Sequence, residues 1–149
     1  MKKAIVTGSF DPVTVGHLSL IRRASEMFDE VCVVIFINPE KTYMFSVEKR
    51  KELLKKACER FENVTVDYDD GYVVDYCARH GIKYIVRGLR RPDHAEYELN
   101  MAKTNRSLNP DVETILLPVE NGLEDVCSTF VRNNLEDEEL TKKNCPWYF

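Results

Sequence analysis

The alternation of apolar and polar stretches sets out the chain before any single residue does. A short apolar run, Ala4-Ile5-Val6-Thr7, is followed by a helix-like segment from Leu18 to Phe28. Val31-Cys32-Val33-Val34-Ile35-Phe36-Ile37 is then continuously apolar and rich in β-branched residues, the mark of a strand covered on both faces. A second helix starts behind Ser46, a suitable N-cap, and runs to about Phe61; Lys49 stands where a reciprocal capping partner would be. Val64–Asp67 reads as a third strand and Gly71–His80 as a third helix, with Gly81 placed to end it. Tyr84–Val86 is a fourth strand, and Pro92-Asp93 opens a long helix that stops near Asn109-Pro110. Thr114–Leu117 is a fifth strand, residues 119–126 form a loop, and Ser128 or Thr129 caps a last short helix through Leu135. Residues from about 136 to 149 read as a tail, charged first and aromatic last.

Five strands alternating with five helices, without repeat or linker, predict a single α/β domain over residues 1–149. The fold class is a Rossmann-like, doubly wound, five-stranded parallel sheet with right-handed crossovers. Ligands of such sheets bind across the carboxyl ends of the strands, where the strand order reverses. The polar strings gather at those ends: Gly8–Asp11, Asn38–Lys41, Arg87–Arg91 and Val126–Thr129 each follow a strand or precede a helix.

Composition narrows the partners. A net charge of −4 argues against a general nucleic-acid coat, which needs a basic face. It leaves room for a small anion in a locally basic pocket, because repulsion is screened within roughly 8–10 Å at physiological salt. Cys32, Cys58, Cys77, Cys127 and Cys145 form no C-x-x-C, and His17, His80 and His94 have no metal-ligand spacing. Reduced thiols and a cytoplasmic location are therefore expected, with no structural zinc. No apolar run is long enough for a signal core or a membrane span.

The densest chemistry lies in Gly8-Ser9-Phe10-Asp11-Pro12-Val13-Thr14-Val15-Gly16-His17. Gly16 and His17 fall where the first helix begins, and free N–H groups with the positive end of a helix dipole favour phosphate there. Lys41, a few residues past a buried strand, is either a solvated loop lysine or a point charge for phosphate. Arg87, Arg90 and Arg91 crowd one glycine, Gly88. Three guanidiniums so close repel one another unless an anion lies between them; the alternative is pairing with Glu96 or Glu98. Glu98 and Asn105, seven apart on one helix, share a face that could hold a ribose or an amide, or simply meet water. Ser128-Thr129 could cap its helix or line a phosphate nest. No nucleophile–base pair stands out, which suits transfer at phosphorus, where positioning and charge stabilisation supply most of the catalysis.

Thr14-Val15-Gly16-His17 resembles the (H/T)-x-G-H signature of the nucleotidylyltransferase superfamily. With Gly-Ser-Phe-Asp-Pro before it, Asn-Pro-x-Lys, Val-Arg-Gly-Leu-Arg, Glu-Tyr-Glu, Asn105-Arg106 and Cys-Ser-Thr-x-Val-Arg follow in order. From Lys3 to about Arg132 the chain is thus similar to the bacterial phosphopantetheine adenylyltransferases.

The resemblance implies adenylyl transfer from ATP to 4′-phosphopantetheine, giving dephospho-coenzyme A and pyrophosphate, with Mg²⁺ carried by the ATP phosphates and no metal held by the protein itself. It implies His17 as transition-state stabiliser, with Lys41 and Arg90 as further catalytic groups. Ser9, Phe10, His17, Gly88, Leu89, Arg90, Glu98 and the segment Leu123, Glu124, Asp125, Val126, Cys127, Ser128 and Thr129 would bind ATP. Ser9, Lys41, Val73, Arg87 and Asn105 would bind the acceptor. A homo-oligomer is implied too, commonly a hexamer.

Ser9 stands where the family usually has Thr, Cys127 where it has Ser, and Leu123 where many members carry an aromatic; the tail Cys145-Pro146-Trp147-Tyr148-Phe149 has no counterpart in the pattern. A sibling enzyme using CTP or another phosphorylated acceptor is the alternative, ahead of a nucleotide-binding protein without catalysis. Cytidylyl siblings tend to carry an arginine-containing string before the last helix, and residues 119–129 contain no arginine.

Overall fold

A computed structural model describes residues 1–146. Its core is a five-stranded, wholly parallel sheet in the order β3-β2-β1-β4-β5. The strands are β1 (Lys3–Gly8), β2 (Glu30–Phe36), β3 (Val64–Asp69), β4 (Tyr84–Leu89) and β5 (Glu113–Pro118). Between them run α1 (Val15–Met27), α2 (Val47–Cys58), α3 (Val73–His80) and α4 (Ala95–Leu108), the last entered through a 3₁₀ turn at Pro92–His94. Two short helices follow β5, α5 (Ser128–Asn133) and α6 (Glu138–Asn144).

The unbroken apolar runs are explained by cover on both faces. In β1, Ala4 and Val6 join Ile21 and Ala24 of α1 and Leu54 and Ala57 of α2, while Ile5 joins Val74 and Cys77 of α3. The chain winds outward from β1 through β2 to β3, then returns to β4 on the other side of β1. That reversal opens a crevice at the carboxyl ends of β1 and β4, as such topology requires.

Two boundaries differ from the sequence expectation for physical reasons. Helix α1 begins at Val15, one residue before the Gly16-His17 start expected and three before the apolar segment, because Thr14 caps it, its Oγ1 accepting from the His17 N–H at 3.4 Å while His17 Nδ1 accepts from the Thr14 N–H at 3.0 Å. This is a capping box with His in place of the usual Glu or Gln. The segment read as a tail contains α6, capped by Asp137, whose carboxylate accepts from the Leu140 N–H, with Thr141, Asn144 and Cys145 buried against the body. Ser46 caps α2 as expected, accepting from the Lys49 N–H, and Gly81 at φ 66° ends α3. The aromatic end, Trp147 to Phe149, lies outside the described residues.

Candidate active site

A cavity of about 610 Å³ occupies the crevice, within the usual size for small-molecule sites. Its floor is Thr7, Gly8 and Ser9 from the end of β1 and Val86, Arg87 and Gly88 from β4. Gly16, His17 and Leu20 of α1 form one wall. Asp93, His94, Tyr97 and Glu98 form a second, Val119, Leu123, Val126 and Cys127 through Thr129 with Arg132 a third, and Lys41 stands at the rim. The third wall comes close because residue 16 is glycine: a Cβ there would meet the Val126 carbonyl oxygen at 3.2 Å.

His17 is held on two sides in this lining. Its Nδ1 is turned back on Thr14, 3.0 Å from the backbone N–H and 3.2 Å from Oγ1, and its ring packs edge-on against Phe10 with centroids 4.9 Å apart. Burial, and then the charges of Arg90 and Arg87, lower its pKa from 6.5 to about 4. The ring is therefore neutral at pH 7. Because Nδ1 accepts, the proton sits on Nε2, at the ring edge away from Thr14. His17 is a fixed hydrogen-bond donor that carries no charge.

The three arginines divide. Arg87 forms a bidentate pair with the buried carboxylate of Glu98 (2.9 and 3.1 Å) and donates to Thr7 Oγ1 at 3.1 Å. Arg91 turns outward to Asp125 at 3.1 Å and Asp93 at 3.7 Å, away from the cavity. Mutual repulsion is thus relieved by carboxylates for two of them, and the expectation of one anion held among all three is corrected. Arg90 donates to the Glu124 carbonyl at 3.3 Å, and among the described residues no carboxylate pairs with it or with Lys41. These two cations are the ones left for an anionic ligand.

Of the other expected residues, Ser9, Gly88, Leu123, Val126, Cys127, Ser128 and Thr129 line the cavity. Phe10 does so only through its neighbours, since its side chain is buried beneath His17 at a positive φ of 47°. Leu89, Glu124 and Asp125 flank the lining, Glu124 meeting it through its carbonyl. Val73, at the start of α3 against the second core cluster, and Asn105, two turns beyond Glu98, stand outside it. Neither hydroxyl of the last wall caps α5: Ser128 Oγ donates to the Pro12 carbonyl at 2.8 Å, and Thr129 Oγ1 accepts from Arg132 at 3.0 Å. Arg132 also donates to the Asp11 carbonyl at 2.7 Å, across a loop in which the Asp11–Pro12 bond is cis.

Sequence reasoning missed Thr7, Leu20, Val86, Asp93, His94, Tyr97, Val119 and Arg132. Asp93, His94 and Tyr97 were within reach of it, since they occupy the helix entry directly after the Arg87–Arg91 string.

A parallel sheet with a T-x-G-H helix start, a neutral imidazole donor and cations at the switch point defines a nucleotidyltransferase, and the cytidylyltransferase-like family model matches residues 5–134. The chain belongs, within that class, to the phosphopantetheine adenylyltransferase family. It is 46% identical over 117 residues to the phosphopantetheine adenylyltransferase of Caldanaerobacter subterraneus subsp. tengcongensis, covering 78% of this chain and 73% of the relative. To those of Thermotoga neapolitana and Alkaliphilus metalliredigens it is 42% and 41% identical, covering 87% and 89% of this chain and 80% and 84% of theirs.

Among solved structures, a putative nicotinate-nucleotide adenylyltransferase from Vibrio parahaemolyticus superposes with a TM-score of 0.67 at 23% identity, covering 97% of this chain and 87% of that one. The bifunctional NMN adenylyltransferase/ADP ribose pyrophosphatase of Francisella tularensis gives 0.70 at 17% identity over 97% of this chain and 44% of its own. These likenesses establish the Rossmann-like fold.

Proposed function

We propose that the chain transfers the adenylyl group of ATP to the phosphate of 4′-phosphopantetheine, forming dephospho-coenzyme A and pyrophosphate. The substrate pair is supported by relatives named for it at 41–46% identity. The observation that carries the chemistry is His17, a neutral donor locked by Thr14 in a cavity with Lys41 and Arg90.

An oxygen of the acceptor phosphate attacks the α-phosphorus in line. A new P–O bond forms, the bond between the α-phosphorus and the bridging oxygen breaks, and its electron pair leaves with pyrophosphate. Negative charge grows on the transferring phosphoryl oxygens. The Nε2–H of His17 donates to one of them without losing its proton, and a donor fixed in advance spends no reorganisation at that moment. Arg90 stabilises the departing pyrophosphate, and Lys41 holds the acceptor phosphate, a task for a point charge. Arg87, engaged with Glu98, shapes the acceptor side, and Gly16 and Thr129 line the part of the cavity assigned to the triphosphate.

Mg²⁺ suits this site as a companion of the nucleotide. The ion's ligands would be mainly phosphate oxygens and water, since Mg²⁺ dehydrates reluctantly and is usually held through substrate phosphates. Bound there, it would supply charge neutralisation of the triphosphate. Action in the cytoplasm is supported by five unpaired cysteines, and no helix among the described residues is long and apolar enough to cross a membrane. A homo-oligomer, hexameric by family resemblance, is supported by α4, which buries only Glu98 and exposes Tyr97, Leu99 and Leu108.

Pyrophosphate release with ATP and Mg²⁺ is the direct test, with and without 4′-phosphopantetheine and with CTP as control. Release that needs both ATP and the acceptor is expected. Folded, ATP-binding protein that releases none, or that prefers CTP, overturns the reading in favour of a sibling enzyme.

A further inference from the structure

We propose that Arg50, outside the cavity, is a positioning residue that sets Lys41 in register with the Ser9–His17 loop. Its side chain leaves α2 and is buried, at 3% exposure. A buried guanidinium is costly unless its donors are satisfied. Here Nη1 donates to the Ser9 carbonyl at 3.0 Å and Nε to the Phe45 carbonyl at 3.1 Å, while Cζ lies 4.1 Å from the centre of the Tyr43 ring. One side chain thus ties the loop after β1 to the loop after β2.

The tie reaches Lys41 through Tyr43. The Tyr43 hydroxyl accepts from the Asn38 N–H at 2.9 Å, and the Asn38 carbonyl accepts from the Lys41 N–H at 3.0 Å. Asp11, 3% exposed, holds the same segment from the other side: its carboxylate accepts from the Met44 and Phe45 N–H groups at 2.8 and 2.9 Å.

Lys41 is exposed and belongs to neither core cluster, so packing does not place it. Helix α2 has Leu53, Leu54 and Ala57 for its own docking. The buried charge serves the loops.

The proposal rests on the assignment of Lys41 to the acceptor phosphate, and a double-mutant cycle with a second, activity-free readout tests it. In the full chain, Arg50→Gln should lower kcat/KM for the acceptor by roughly tenfold or more while the Kd for ATP changes less than about twofold, and Arg50→Lys should recover part of the loss. With Lys41→Ala already present, Arg50→Gln should cost almost nothing further. Amide hydrogen exchange at Met44 and Phe45 should accelerate in Arg50→Gln. Losses that multiply in the double variant, or exchange that does not change, overturn the proposal. Should Lys41→Ala leave acceptor kinetics untouched, the assignment of Lys41 fails, and exchange at residues 44 and 45 still decides whether the brace exists. If Arg50→Gln does not fold, Arg50→Lys carries the same cycle.

Discussion

Acidification should unfold this protein in part through His17, and the size of the effect follows from its cradle. Free imidazole titrates at 6.5, whereas the folded ring, desolvated and facing Arg90 and Arg87, titrates at about 4. Above pH 6.5 neither state binds the proton, and His17 adds no pH dependence. Between the two values the unfolded chain takes up a proton that the folded chain refuses, so stability falls as pH falls. With about 1.4 kcal/mol per pKa unit, the loss attributable to His17 is about 2 kcal/mol by about pH 5, approaching about 3 kcal/mol near pH 4.

His17→Gln is the matched control. Gln is an ordinary reciprocal partner in a capping box, so it keeps the helix start without a titratable group. Urea unfolding at fixed protein concentration, across a pH series from about 8 to 5, should show a decline about 2 kcal/mol steeper for the natural protein than for the variant. The two proteins differ only at residue 17, so every other contribution cancels in the difference. Parallel curves would refute the claim that the folded ring is held neutral, and with it the donor role assigned to Nε2. The same reasoning predicts turnover that shows no His17 titration between about pH 8 and 5.

Three further outcomes are expected. His17→Ala should reduce kcat by on the order of 10²–10³ while the Kd for ATP, measured by calorimetry, moves only a few-fold; a matching collapse of ATP binding would contradict a transition-state role. Arg87→Ala should weaken acceptor saturation and, unlike Lys41→Ala, lower unfolding stability by about 3 kcal/mol, because the buried Glu98 carboxylate loses its bidentate partner. A thiol reagent should label Cys127 and Cys32 well before Cys58 and Cys77, whose burial raises their pKa values to about 12 and about 11; mass spectrometry should show ATP protecting Cys127 alone.

The inner strands β1 and β2 were readable in the sequence because they are buried on both faces and so are written as apolar, β-branched runs, as in Val31–Ile37, whereas the part-exposed edge strands β3 and β5 followed from their place in the alternation. Strand ends then located the cavity without any knowledge of side-chain geometry. What stayed hidden depends on residues far apart in the chain. Arg50 sits among the basic and apolar residues of α2 and looks there like one more solvated cation; only its distance from Ser9 shows otherwise. Pairing with Glu98 was legible as one alternative for the arginine cluster, but that Arg87 is the one it takes, across the crevice from strand to helix, is written in no periodicity. The capping role of His17 was missed because histidine is an unusual capping partner, and α6 because a charged segment with few apolar residues gives little helical signal.

The ties from Ser128 to Pro12 and from Arg132 to Asp11 span 116 and 121 residues. All five strands leave the ribosome before either contact can form. A nascent chain that has reached β5 can hold its sheet, with the first loop and His17 already in place, while the third wall of the cavity does not yet exist. The cavity is therefore completed later in synthesis than the sheet beneath it, and closures of such long sequence separation are among the slow steps of folding. A newly made chain is folded before it is competent.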